Sequence, residues 1–168
     1  MKRRELIRYG LAALALGALA KPLSSIAAQA SAKLIKTKDQ WRKLLNDDQF
    51  NILFEEGTEY PNSSALLHEK RQGKFICVAC NLPLFDSSTK YESGTGWPSF
   101  FDSLPNGIAT KTDTSLFMVR TEYHCSRCGG HHGHVFDDGP KPTGKRYCNN
   151  GVALLFVPKD QALPALRS

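Results

Sequence analysis

The chain has 168 residues, 41% of them apolar, 23% charged and 10% aromatic, which is room for one ordinary globular core but not for two enzyme-sized domains. Thirteen Gly and nine Pro are too few for a collagen-like or low-complexity chain. Of the net charge of +6, residues 1–30 hold +4 (Lys2, Arg3, Arg4, Arg8 and Lys21 against Glu5), and the remaining +2 gives no argument for nucleic acid or a membrane surface.

The basic start Lys2-Arg3-Arg4-Glu5-Leu6-Ile7-Arg8 is followed by twelve uncharged residues, 9–20, and by a small-residue exit, Ala28-Gln29-Ala30. A membrane-spanning helix needs about 20 apolar residues, so no stable insertion is expected. The pattern reads as a cleavable export signal, and the arginine pair with Lys21 beyond the apolar run is similar to the twin-arginine type. The alternative is an uncleaved amphipathic helix, but residues 11–19 have no polar face to lie along a surface. The expected division is a signal over residues 1–30 and a domain over 31–168 that works in a bacterial periplasm.

Thr37-Lys38-Asp39-Gln40 offers a capping residue with Gln three positions later, predicting a short helix through Trp41, and residues 47–54 a second. The turn Gly57-Thr58-Glu59-Tyr60-Pro61-Asn62 ends this helical part. Past Gly73, residues 74–78, 116–123 and 152–157 are short, β-branched or aromatic, and bounded by turn formers. The expected fold is mainly β and antiparallel, with a few short N-terminal helices and functional loops.

Cys77-Val78-Ala79-Cys80 and Cys125-Ser126-Arg127-Cys128 are two C-x-x-C pairs with 44 residues between them. Each lets one turn present two thiolates to one metal, and together they close a four-sulfur site. The separation requires the knuckles to cap two hairpins that the fold brings together. Two disulfides are the alternative in an oxidising compartment, although a bridge across C-x-x-C is strained as a structural element. Zinc suits a redox-inert clip, and four thiolates would also hold iron.

Cys148 is the fifth cysteine, in Arg146-Tyr147-Cys148-Asn149-Asn150. It is buried filler, an intermolecular bridge or a reactive thiol, and its polar neighbours favour the last. In an extended segment Arg146 and Asn150 share its face, the first favouring a thiolate and the second offering an amide. Four of the five histidines are His124, His131, His132 and His134. Alternation would point His132 and His134 together, and His131 joins His134 if the glycines bend the chain. A second metal site, an exposed polar loop and acid–base work beside Cys148 all remain open for this cluster.

Taken in order, Cys77-x-x-Cys80, Tyr91-Glu92-Ser93-Gly94-Thr95-Gly96-Trp97-Pro98-Ser99-Phe100, Arg120-Thr121-Glu122, Cys125-x-x-Cys128, His131-x-Gly133-His134-Val135-Phe136-Asp137-Asp138-Gly139-Pro140 and Arg146-Tyr147-Cys148 strongly resemble the methionine-R-sulfoxide reductase family, the B type of peptide methionine sulfoxide reductase. The resemblance runs from about residue 39 to 158. It implies two antiparallel sheets in a sandwich- or barrel-like fold, structural zinc on Cys77, Cys80, Cys125 and Cys128, and a thiol that reduces the R epimer of methionine sulfoxide, peptide-bound or free. It implies that Cys148 is the nucleophile, with Arg146 and Asn150 around it. His131 and His134 would be the active-site histidines, Asp138 an acid supporting them, and Trp97 the wall for the substrate methyl.

The chain departs from the family at His132, where Leu is common, and at Asn149 and Gly151 beside the nucleophile. Many members carry a resolving Cys where this chain has Thr95. With four cysteines on metal and one in catalysis, none is left to form an internal disulfide. A one-cysteine cycle is expected, in which a thioredoxin-like protein or a small thiol reduces the sulfenic acid on what is read as a monomer. Two rivals are a metal-binding module without catalysis and a thiol oxidoreductase that uses one C-x-x-C as its redox pair.

Overall fold

In the computed structural model of the protein, residues 32–115 and 118–168 are described. The export signal expected over residues 1–30 lies outside them. Among the described residues, no helix is long and apolar enough to cross a membrane.

Both expected helices form, each opened by a reciprocal capping box. Thr37 accepts from the Gln40 N–H while the Gln40 side chain accepts from the Thr37 N–H at the start of α1 (Lys38–Arg42). Asn46 and Gln49 repeat the arrangement at α2 (Asp47–Glu55), with Asp47 and Asp48 in the first turn facing the positive end of the helix dipole. Trp41, Phe50, Ile52 and Leu53 carry these short elements onto the β domain as buried anchors.

The strands are β1 (Gly73–Cys77), β2 (Pro83–Asp86), β3 (Lys90–Tyr91), β4 (Ser99–Phe100), β5 (Ile108–Asp113), β6 (Arg120–Cys125), β7 (His131–Phe136), β8 (Arg146–Asn149) and β9 (Leu154–Pro158). They form two antiparallel sheets, ordered β2-β1-β9 and β3-β4-β8-β7-β6-β5. Phe75 and Phe85 of the small sheet meet Phe100, Tyr123 and Tyr147 of the large one, with Phe85 stacked on Phe100 at 4.4 Å and Phe75 edge-on to it at 4.9 Å. This aromatic layer is the glue between the sheets, and truncating Phe100 to Ala would remove about 3–5 kcal/mol of stability.

Two expected strands are displaced. Of the strand expected over residues 116–123, residues 116–117 lie outside the described residues and the pairing begins at Arg120, with Met118 and Val119 exposed ahead of it. The segment expected over 152–157 opens as a 3-10 turn, Gly151–Ala153, before β9. Strand β5 was not expected at all, because its Thr-Lys-Thr centre is polar and exposed. It is an edge strand, and its polar side chains serve the site.

Candidate active site and metal cluster

The first C-x-x-C knuckle joins β1 to β2 and the second joins β6 to β7, so each sheet contributes one hairpin. The two turns share one backbone design. Cys77 N–H donates to Leu82 O at 2.9 Å and Asn81 N–H to Cys77 O at 2.8 Å; Cys125 N–H donates to Gly130 O and Gly129 N–H to Cys125 O, both at 2.9 Å. Asn81 (φ 63°) and Gly129 (φ 76°) take the left-handed conformation that closes each turn, which Asn and Gly tolerate best.

All five cysteines are free thiols rather than disulfides. The four Sγ atoms of Cys77, Cys80, Cys125 and Cys128 lie within 4.8 Å of one another. Cys77 and Cys128 are 3.7 Å apart and Cys80 and Cys125 are 3.5 Å apart. A tetrahedral ion with metal–sulfur bonds of about 2.3 Å has sulfur–sulfur edges of about 3.8 Å, so this set fits a structural metal. By drawing on both sheets, it also ties them together at one end.

Cys148 sits near the middle of the large sheet. Strand β8 runs between β4 and β7, so Cys148 has Ser99 on one side and His134 on the other. β7 approaches so closely that a Cβ on Gly133 would stand 1.9 Å from the Cys148 carbonyl oxygen, and the φ of 155° there suits glycine. The buried Tyr123 hydroxyl holds that carbonyl from the other side at 3.2 Å. Cys148 opens into a cleft of about 160 Å³ lined by Thr58, Trp97, Arg120, His134, Phe136 and Asn150 among others. Burial pushes the thiol's pKa up; the positive charge of Arg146 and hydrogen bonds from Thr95 and Arg146 pull against that rise. Thr95 is itself bonded to Ser93, which reaches Ser99, so hydroxyls line this flank.

The histidine cluster divides. His131 and His134 come together, ring centroids 5.6 Å apart, because a register irregularity opposite Tyr123 and His124 breaks the alternation. His132 does not point with His134; it is fully buried, and burial lowers its pKa to about 3, leaving it neutral. Each of the paired rings is backed by a carboxylate and then a cation from the β5–β6 hairpin. His134 Nε2 lies 2.7 Å from Asp113 Oδ2, which also accepts from Arg120 at 2.6 Å. His131 Nδ1 lies 3.1 Å from Glu122 Oε1, whose Oε2 lies 3.0 Å from Lys111 Nζ. The strand register pairs Asp113 with Arg120 and Lys111 with Glu122, so two neighbouring cross-strand ion pairs aim at two histidines. The Ser115 hydroxyl and N–H, with His134 and Arg120, hold the Asp113 carboxyl well below the usual range. Burial lowers the proton affinity of His131 against the opposing pull of Glu122.

Asp138 therefore corrects the sequence expectation. Its exposed carboxylate grips the Arg146 guanidinium at 2.8 Å through both oxygens and backs neither histidine. Arg146 lies over the Phe136 ring, 4.3 Å from its centroid, so Asp138 and Phe136 together fix the charge beside Cys148. Asn150 is also redirected. Its amide is spent on Glu59 N–H (3.0 Å) and His132 O (3.1 Å), bracing the end of β8 rather than bonding the thiol. Trp97 lines the cleft, its indole N–H donating to Glu59 O at 3.2 Å. Asp113 and Lys111 had no sequence signal of their own, since only the register brings them to the site, Glu122 stood only within a motif of the resemblance, and Glu59 reaches the site from a turn. Of the departures, Gly151 has a reason: a Cβ there would meet Ser64 Oγ at 1.9 Å.

Comparison with known proteins decides the family. A family model for the SelR domain matches residues 45–158. The peptide methionine sulfoxide reductase MsrB of Methanosarcina barkeri is 50% identical over 127 residues, covering 75% of this chain and 89% of that protein. The chain belongs to the MsrB family. The MsrB of Pseudomonas putida (strain W619) is 48% identical over 131 residues, 77% of this chain and 98% of its own length. The MsrB of Thiobacillus denitrificans is 51% identical over 126 residues, 74% of this chain and 96% of its own. The matched MsrB region takes in both cysteine knuckles, Trp97, the paired histidines and Cys148.

Proposed function

We propose that this protein reduces the R epimer of methionine sulfoxide in oxidised proteins and peptides, through a sulfenic acid on Cys148 that an external thiol regenerates. The observation that carries this reading is the cleft itself: a lone thiol strand-paired with a carboxylate-backed histidine and facing a tryptophan wall.

The chemistry follows from those groups. A sulfoxide oxygen is a poor leaving group until it is protonated, so the nucleophile needs an acid beside it. His134 lines the cleft and supplies that proton, while Asp113 orients its ring through Nε2. Arg146 favours the thiolate that attacks the sulfoxide sulfur. The indole of Trp97 gives the methyl an apolar contact that demands no hydrogen bond, its own N–H already being satisfied. In the net step the S–O bond of the sulfoxide breaks and its oxygen ends on Cys148 as S–OH. The methionine sulfur is reduced by two electrons and Cys148 is oxidised by two.

Thr95 cannot supply a resolving sulfur, so a donor thiol condenses with the sulfenic acid, releasing water and forming a mixed disulfide. A second thiol then frees Cys148. A thioredoxin-like protein or a small thiol fits that role. Cys77, Cys80, Cys125 and Cys128 would hold one zinc ion, which supplies a redox-inert clip between the sheets and no step of the reaction. The twin-arginine-type segment supports export to the periplasm, where the clients would be oxidised exported proteins.

The test is turnover of a peptide carrying each sulfoxide epimer separately, with dithiothreitol as donor, by wild type and Cys148→Ser. Consumption of the R epimer alone, lost in the variant, is expected. Turnover of the S epimer, or activity that survives Cys148→Ser, overturns the reading.

A further inference from the structure

Glu59 lies in the turn between α2 and β1, only 9% exposed, and no ion pair reaches its carboxylate among the described residues. Burying a carboxylate costs several kcal/mol unless hydrogen bonds replace its water. Here every polar group of the residue is used, and two of its partners, Asn150 and Trp97, line the cleft. Oε1 accepts from Gly151 N–H at 2.6 Å and Oε2 from Val152 N–H at 3.0 Å, the two free amides at the start of the 3-10 turn. The backbone N–H donates to Asn150 Oδ1 at 3.0 Å, and the backbone carbonyl accepts the Trp97 indole N–H at 3.2 Å. Asn150 passes the connection on to the His132 carbonyl at 3.1 Å, two residues before His134.

Glu59 is thus bonded to the Trp97 wall on one side and, on the other, to the chain that leaves Cys148. A Cβ at Gly151 would collide with Ser64 Oγ at 1.9 Å and only touch Glu59 Oε1 at 3.4 Å, so the tight packing at this turn is against Ser64. An apolar residue at 59 would fill the same space and leave two buried N–H groups without acceptors.

We infer that Glu59 is a positioning residue that fixes the Trp97 indole relative to the Cys148 thiol and so sets the width of the methyl-binding slot. The inference rests on the reading of Trp97 as the wall for the substrate methyl. Glu59→Gln keeps the shape and one acceptor oxygen but turns an NH₂ toward a backbone N–H. The Trp97 face loosens, while Cys148, His134 and Asp113 keep their own contacts. The expected signature is therefore in KM: about a tenfold rise, with kcat within about threefold of wild type. Glu59→Asp, which keeps the charge but shortens the reach, falls between the two and is the second variant should Glu59→Gln fail to fold.

The test joins kinetics on the R sulfoxide peptide to ¹⁹F NMR of protein labelled with 5-fluorotryptophan, whose two resonances, Trp41 and Trp97, are assigned with Trp97→Phe. In Glu59→Gln the Trp97 resonance should shift or broaden while that of the core residue Trp41 stays in place. The double variant with Trp97→Phe should be no worse in kcat/KM than Trp97→Phe alone. Joint movement of both resonances, a loss of kcat at unchanged KM, or multiplying effects in the double variant would overturn the inference. If wild type turned over neither epimer, the reductase reading would fail, and the NMR comparison alone would still decide whether Glu59 holds Trp97.

Discussion

The four-cysteine cluster and the Cys148 cleft both place sulfur on one small fold, yet they are built in opposite ways. Each half of the cluster is a local turn, Cys77 to Asn81 or Cys125 to Gly129, that points two thiols to one side by its own hydrogen bonds. The cleft owes almost nothing to neighbours in sequence. Its thiol comes from β8, its histidines from β7, their carboxylates from β5 and β6, and its tryptophan from the turn before β4. A local site can be redox-silent wherever the fold carries it. A site assembled by register ties its reactivity to the packing of the whole large sheet.

The largest expected effects separate the two regions. Cys148→Ser should lower turnover by at least about 10³-fold and leave one metal per chain and an unchanged melting temperature, read by metal analysis and thermal unfolding. Cys125→Ser should do the reverse damage first: the metal is lost and the melting temperature falls by more than about 10 °C, because binding free energy at a structural site is folding free energy. If Cys125→Ser folded as well as wild type, the cluster would not be the clip between the sheets.

Smaller changes sharpen the contrast inside the cleft. Asp113→Asn should lower kcat by about ten- to a hundredfold with little change in KM, since His134 loses the partner that orients it. Asp138→Asn, whose carboxylate bonds Arg146, should stay within about fivefold, since that carboxylate is exposed to solvent. Equal losses in the two variants would restore Asp138 to the histidine network. The pH dependence should follow the thiol. Burial raises the Cys148 pKa and only the thiolate reacts, so its alkylation rate by iodoacetamide should climb with pH past the ordinary thiol range. Arg146→Met removes the charge that favours the thiolate and should move that rise to still higher pH. A shift to lower pH would contradict the assigned role of Arg146.

What could be read from the sequence follows the same division. The knuckles, the Thr37 cap and the unpaired Cys148 were visible because each is a short-range pattern: two residues between the cysteines of a pair, two between Thr37 and Gln40, a cysteine among polar neighbours. The family resemblance added Trp97, His131 and His134. Which carboxylates back the histidines was not visible. Asp113 and Glu122 serve the histidines only because β5 and β6 pair with Asp113 opposite Arg120 and Lys111 opposite Glu122, and nothing in an exposed Thr-Lys-Thr strand announces that register. The family resemblance credited Asp138 with supporting the histidines, whereas its carboxylate meets Arg146. Glu59 lay hidden in a turn whose residues read as a break.

The division of labour between the two sulfur sites is tested most directly by a single turnover without reductant. Metal-loaded, reduced protein is mixed with excess R sulfoxide peptide and dimedone, and methionine formed and modified cysteines are counted by mass spectrometry. One methionine per chain, with the dimedone adduct on Cys148 alone and Cys77, Cys80, Cys125 and Cys128 unmodified and still holding metal, is the predicted result. A disulfide from Cys148 to any of those four, or a second methionine per chain accompanied by metal release, would contradict it.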